Sequence, residues 1–479
     1  MLTYYREPYC YELDGLSLRC RHTDGAQMTL SFRRSTLTIR RENEQTEQSY
    51  TCQKADDGLY FVHSEALCLT LDLLHGQGCL HSQAQPGRLS PLCLEGGAGF
   101  PPSASLLKHR TLSLLMGPAL RMRHTFHAGE EVLLRDGWVF SFFTAPALSC
   151  VFLMDTCQLR AVAAIWEDGP QAVDAAFYAT CLSEENDDQL DYQRHLLYLK
   201  PFNPLCDKPM HGGMRQFIAP ATRELDGQSF LIRWTDGGQA ALRIQSGTVL
   251  LDTGEGIRRY PVQSIVKASD DAYLLLLSAS SADDSRYPTI ALDLRTGAAA
   301  MISAFVVPGE RLVRFETRLG CIRAQAMPPH FTERLVGKRV VWTYNPYDEI
   351  MHIYISGSRF RLGHWDGVAS PCPSEDERRS LAWIARRAQQ YPIYEEPAFY
   401  LRLGEGLYLY GVVERNINRF FPEQGGNLLI VCFQEGLMRY AGRCIGRNAT
   451  QDIEDMRIGA VGRYVDTPDQ AEYDEGPLY

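Results

Sequence analysis

This sequence is short of basic charge: across 479 residues, 48 Lys and Arg face 58 Asp and Glu, for a formal net charge of -10. A nucleic-acid interface leaves a basic footprint, so this balance speaks against nucleic acid as a partner. No apolar run approaches the roughly 18–20 residues of a membrane-spanning helix. The opening MLTYYREPYCYELDG lacks the basic and apolar regions of a signal peptide. Both absences predict a protein with no membrane association. The 14 cysteines include no C-x-x-C pair, and several sit inside apolar runs: Cys68 in ALCLTL, Cys150 in LSCVFLM, Cys432 in LLIVCF. Scattered in this way they read as small buried hydrophobes in a reducing cytoplasm, not as clustered metal ligands. The patterns G-x-x-x-x-G-K-[ST], H-E-x-x-H and G-x-S-x-G are also missing, so neither a metal nor a cofactor is expected.

What is present is enough apolar material for real cores, 45% hydrophobic and 10% aromatic residues, and an internal repeat. Leu13, Asp14, Gly15, Ser17, Arg21, Thr23, Asp24, Gly25, Gln27 and Leu30 recur without gaps at Leu225, Asp226, Gly227, Ser229, Arg233, Thr235, Asp236, Gly237, Gln239 and Leu242. Lys54 to Tyr60 is echoed by Lys267 to Tyr273, and Leu71-Asp72-Leu73 with Gly76 by Leu292-Asp293-Leu294 with Gly297. Ordered matches at a nearly constant offset identify a tandem duplication. The expected organisation is an N-terminal barrel over 1–199, a linker over 200–218, a C-terminal barrel over 219–465 and an acidic tail over 466–479.

Each copy has the texture of antiparallel β-structure. Short runs such as MTLSF, LYFV, CLTLDL and WVFSFF alternate with DG, GG and TG turn signals. Asp24-Gly25 and Asp236-Gly237 suit type I′ hairpin turns. The stretches 374–390, opened by Ser374 and closed by arginines, and 184–199 are the helix candidates. Met210-His211-Gly212-Gly213 reads as a linker turn, and Glu95 to Gly99 as a flexible loop.

The stretch 335–367, LVGKRVVWTYNPYDEIMHIYISGSRFRLGHWDG, continues as RLGEGLYLYGVVERN (402–416) and LLIVCFQEGLMRYAGRCIGR (428–447). Its G-K-x-V-x-W-x-Y strand, following H-x-Y strand, Tyr-rich strand closed by Glu and M-R-x-x-G resemble the molybdenum cofactor biosynthesis protein F family. That resemblance implies lipocalin-type, calycin-like barrels; despite the family's name it does not imply that molybdopterin binds. The order is also similar to the barrel of phenolic acid decarboxylases. Tyr344 matches the second tyrosine of that family's pair and Glu414 its glutamate. Trp342 stands where its first tyrosine belongs, and Arg361 is the nearest candidate for its arginine. This resemblance implies a site in the barrel lumen.

Strand alternation gathers the same residues, because every second side chain shares a face. Trp342 pairs with Tyr344, His352 with Tyr354, Tyr408 and Tyr410 with Glu414, and Arg439 with Arg443. One choice of lumen then collects catalytic candidates Glu414, Tyr344 and His352 with binding candidates Trp342, Tyr354, Tyr408, Tyr410 and Arg439, to which the decarboxylase resemblance adds Arg361. Rings pack a ligand, arginine anchors a carboxylate and glutamate moves a proton. The bland alternatives are core aromatics, a hydrogen-bonded core histidine and a solvated strand-end glutamate. The first copy lacks the set: GWVFSFFTAPAL ends without a glutamate and offers only His124 and His127 beforehand.

The expectation is therefore an all-β protein of two lipocalin-like barrels with few short helices. It acts as a cofactor-free enzyme of small-molecule or secondary metabolism (isomerase, cyclase, lyase or decarboxylase type) on an aromatic or carboxylate-bearing ligand. The N-terminal barrel then supports, binds or forms a homodimer. A non-catalytic carrier or sensor, or a scaffold whose barrels are self-filled, are the competing expectations.

Overall fold

Alternation is visible wherever only one face of a strand is covered. In Gln27–Arg33 the inward Met28, Leu30 and Phe32 are buried, while Gln27 and Arg33 are exposed and Thr29 and Ser31 half-buried. In Leu67–Asp72 and Ala272–Leu277 every residue is buried, because both faces are packed. The computed structural model describes residues 4–182, 202–203, 208–209, 217–365, 394–415 and 428–464, apart from 42–43, 119, 127–129, 147, 168, 170, 255, 282–283, 311, 346–347 and 448–449. Both helix candidates, most of the 200–218 linker, the Met210–Gly213 turn, His127 and the 466–479 tail lie outside the described residues.

The chain divides into two compact units, Met1–Gly212 and Gly213–Tyr479. The protein is all-β, and among the described residues the one helical element is the 3-10 turn Glu435–Leu437. No helix there is long and apolar enough to cross a membrane.

In the first unit, eight strands from Ser17–His22 to Leu89–Leu94 form a meander that closes through Cys20 opposite Leu94. Its interior is filled by Leu30, Phe32, Leu37, Leu69 and their neighbours. A second antiparallel sheet of eight strands follows, from Ser103–Ala104 to Ala172–Leu182. It packs on the barrel's outer face, where Phe61, Cys68 and Cys79 meet Trp138, Phe140 and Val151.

The second unit repeats this plan. Strands Ser229–Trp234 to Arg314–Cys321 close a barrel through Trp234 opposite Gly320, around a core of Ile232, Leu242, Leu275 and Leu292. The strands from Arg339–Asn345 to Ile453–Tyr464 form another eight-membered meander, sealed where Val340 pairs with Tyr464. The short His330–Phe331 strand adds to Tyr394–Gly404. Each copy thus contains a barrel and a second sheet, one more layer than a single barrel per copy.

The duplication extends to side-chain chemistry. Lys54 Nζ lies 2.9 Å from Glu12, which also accepts the Tyr60 hydroxyl at 2.7 Å. In the second unit Lys267 lies 2.8 Å from Glu224, which accepts Tyr273 at 2.5 Å.

The Asp-Gly turns differ from expectation. Gly25 and Gly237 have φ of 88° and 89°, but neither Asp24 nor Asp236 has a positive φ, which a type I′ turn demands at both positions. The Gly25 amide donates to the His22 carbonyl, and the His22 amide to Ala26. This is a three-residue hairpin with glycine in the left-handed position. The Asp24 carboxylate accepts the Ala26 amide at 2.9 Å, the Asx-type contact favoured in turns.

Candidate functional site

The lumen of the second barrel in the C-terminal unit is built by period-two alternation on eight strands. Arg339–Asn345 turns Val340, Trp342 and Tyr344 inward, and Asp348–Ser356 turns Ile350, His352 and Tyr354 inward. Leu407–Val413 supplies Tyr408, Tyr410 and Val412, while its other face, Leu407 and Leu409, joins the core shared with the first barrel. Ring contacts fix the inward face. Trp342 lies 4.9 Å from Phe433 and 4.6 Å from Tyr440, and His352 4.6 Å from Phe360. Tyr354 lies 5.5 Å from Tyr400 and 5.9 Å from Tyr410. Gly462 keeps a space that Trp342 fills, since a Cβ there would come within 2.6 Å of the indole.

One end of this lumen carries a cluster built around a single carboxylate. Lys338 Nζ lies 2.6 Å from Glu435, and the same carboxylate accepts the hydroxyls of Tyr408 (3.5 Å) and Tyr464. The other end carries Glu414, one residue past Val413 and on the inward side of the alternation with Tyr410 and Val412. Burial, together with the nearby Glu396 carboxylate, pushes the Glu414 carboxyl up to about 8. Glu396 is itself buried and accepts the Arg415 amide at 2.9 Å. Cys444 shares this end: burial drives its thiol pKa well up, and Glu414 adds to the effect.

Between the two ends the lumen is polar but uncharged. Burial lowers the His352 imidazole to about 3, so it is neutral at physiological pH. Burial pushes Tyr354 up to about 12 and raises Tyr410 and Tyr440 well above the ordinary phenol value. Tyr410 Oη and His352 Nδ1 stand 3.5 Å apart. Trp342 Nε1, His352 Nε2, Tyr354 Oη and Tyr440 Oη are buried with no hydrogen-bond partner. Tyr410 and Trp342 stand near enough to draw the Tyr354 pKa partly back down, and Tyr344 near enough to add to the rise at Tyr440, in each case without meeting hydrogen-bond geometry. Buried polar atoms are nearly always paired, so four orphans around one lumen demand an explanation.

The structure brings Trp342, Tyr344, His352, Tyr354, Tyr408, Tyr410 and Glu414 to this lumen. It does not bring the two arginines there. Arg439 shares a face with Arg443, as alternation requires, but that face is the outer one. Arg439 donates to the Phe217 carbonyl at 3.3 Å, and Arg443 reaches the Leu277 and Pro288 carbonyls, both at 3.1 Å, and Asp455. Arg361 lies on the exterior, paired with the exposed Glu395. The pocket expected to hold an arginine anchor therefore has none of these guanidiniums.

Sequence reasoning missed Phe360, Glu396, Tyr400, Phe433 and Tyr440. The i, i+4 spacing of Glu396 and Tyr400 in YEEPAFYLRL could have flagged two of them. Tyr440 lies on the face opposite its neighbour Arg439, so a lumen chosen to include Arg439 excludes it. In the first unit the equivalent space holds phenylalanines: Phe126, Phe143, Phe152 and Phe177 contact one another in sequence at 5.4–5.9 Å. His124 touches this cluster, at 4.7 Å from Phe126 and 4.4 Å from Phe143. No family model matches the chain, and no curated protein matches it.

Proposed function

We propose that the Tyr- and Trp-lined lumen of the C-terminal unit binds a small, neutral, aromatic-sized organic molecule and that Glu414 exchanges a proton with it. The observation that carries this reading is the convergence of four unpartnered buried polar atoms, Trp342 Nε1, His352 Nε2, Tyr354 Oη and Tyr440 Oη, on one lumen. A ligand with its own donors and acceptors would satisfy them, and the rings would supply apolar contact. Neutral ligands are favoured over carboxylates, because Arg439 and Arg361 face elsewhere and the luminal His352 is uncharged.

Glu414 suits a general acid. With a pKa near 8 its carboxyl keeps its proton at neutral pH yet stays close enough to release it. It would protonate the bound molecule and regain a proton from another carbon or heteroatom of the same molecule, as in an isomerisation, cyclisation or elimination. The likeness to molybdenum cofactor biosynthesis protein F and decarboxylase barrels agrees with a luminal site. Thiols buried as deeply as Cys68, Cys150 and Cys432 fit a cytoplasmic setting.

The test is incubation of the full chain with a panel of neutral phenolic and aromatic compounds, followed by mass spectrometry and by Trp342-dependent fluorescence. Saturable quenching with a product of altered connectivity, lost in Glu414→Gln while quenching remains, supports the proposal. Quenching without conversion in either protein identifies a carrier and removes the catalytic role. No saturable binding overturns both.

A further inference from the structure

One row of side chains in the first unit, half-buried at Thr51 and His63 and buried at Cys68 and His81, has no use in the C-terminal lumen. Across four neighbouring strands, Thr51 pairs with His63, His63 with Cys68 and Cys68 with His81. All four therefore point to the same side, toward the second sheet of that unit. From that sheet Asp174 accepts the His63 Nδ1 at 3.0 Å, the Thr51 hydroxyl at 2.8 Å and the Tyr9 hydroxyl at 2.9 Å. Cys68 is fully buried and His81 is 6% exposed. His63 Nε2 and His81 Nδ1 are buried without any hydrogen-bond partner.

The second unit is an internal control for what packing at this place requires. In the same register Ser264 pairs with Leu276, Leu276 with Thr289 and Thr289 with Ile302. Arg457 there donates to Ser264 at 3.1 Å, where Asp174 meets Thr51 in the first unit. The fold is thus built with Leu, Thr and Ile where the first unit has His, Cys and His. Packing alone does not call for two imidazoles and a thiol, and leaving imidazole nitrogens buried and unpaired is costly.

We propose that His63, Cys68 and His81 form a binding site for one transition-metal ion of the zinc type, with Asp174 as the group that orients His63. Imidazole nitrogen and thiolate sulfur are the donors such ions select. A carboxylate on the non-ligating nitrogen of a metal-bound histidine is the usual supporting contact, and it fixes Nε2 as the free lone pair. Directly paired residues have Cβ atoms about 4.5–5.5 Å apart. An ion above the short Cys68 side chain is therefore within reach of the longer imidazoles on either side. The three donor atoms do not already lie within 4.8 Å of one another, so binding turns the rings about their side-chain torsions. It also releases the Cys68 thiol proton to solvent.

The experiment is a titration of the chelator-treated full chain with Co2+, then Zn2+, followed by absorbance and by thermal unfolding. The proposal expects one equivalent of Co2+ to give a near-ultraviolet thiolate charge-transfer band, displaced by Zn2+, and a metal-dependent rise in Tm. Cys68→Ala should abolish the band. His63→Leu and His81→Ile, which install the residues of the second unit, should abolish stoichiometric uptake while preserving the fold. Asp174→Asn should weaken affinity about 10–100-fold. Absence of saturable uptake overturns the site, and so does a band or Tm rise equal in wild type, His63→Leu and His81→Ile.

Discussion

Tyr410 and His352 meet inside the C-terminal lumen, phenol oxygen to Nδ1 at 3.5 Å, with both residues wholly buried. The contact is long, and His352 stays neutral because burial lowers its pKa from 6.5 to about 3. Between pH 6.5 and 3 the unfolded chain binds a proton at this residue that the native chain does not, so stability falls on acidification. His352→Gln should keep a polar partner for Tyr410 and remove this pH dependence, which is at most about 1.4 kcal/mol per pH unit. Urea unfolding at pH 7 and pH 4 checks it; an unchanged pH difference refutes the buried neutral imidazole.

Glu414 works in the opposite direction. Its carboxyl is raised from 4.5 to about 8, so the native chain holds a proton that the unfolded chain releases. The stabilising contribution is full below pH 4.5 and is lost as pH rises to 8. Glu414→Gln should be less sensitive than wild type to a change from pH 5 to pH 8.5 in chemical denaturation. Any activity should decline on the alkaline side near the same pKa.

Tyr440→Phe and Trp342→Ala separate ligand contact from packing. The Tyr440 hydroxyl is buried and unpartnered, so its removal should leave stability unchanged or raise it by up to about 1–3 kcal/mol. Ligand binding, measured by fluorescence or calorimetry, should weaken. Trp342 is fully buried against Phe433 and Tyr440, and truncation to Ala should cost about 3–5 kcal/mol. A destabilising Tyr440→Phe would mean that the hydroxyl is already satisfied.

At the Glu435 end of the lumen, Lys338 and Glu435 are 6% and 12% exposed and 2.6 Å apart. Removing one partner, as in Lys338→Met, leaves a buried carboxylate and should cost about 3–5 kcal/mol. The double change Lys338→Met with Glu435→Leu should cost less than Lys338→Met alone. Thermal and urea unfolding of the three variants measures the difference, and simple additivity would show that the pair is not coupled.

Much of this arrangement is legible in the sequence because it is local. Period two placed Trp342 with Tyr344, His352 with Tyr354, and Tyr408 with Tyr410 and Glu414, and each set shares the inward face. The same rule correctly put Arg439 with Arg443. It could not say that their face is the outer one, because a strand buried on both sides carries no solvent mark. Leu407–Val413 is buried at every residue, so hydropathy there gives no direction.

By itself the sequence determined the duplication, the all-β class and the grouping of residues by strand face. These depend on neighbours in the chain and on the fixed geometry of an extended backbone. Tertiary structure decided the rest: that each copy holds a closed barrel and a further sheet, that Glu396 comes to Glu414, and that Arg443 pins carbonyls of the preceding barrel. The physical reason is strand register and sheet packing. They set which distant residues meet, and the hydrogen bonds that fix them join backbone groups whose identity the side chains do not spell out.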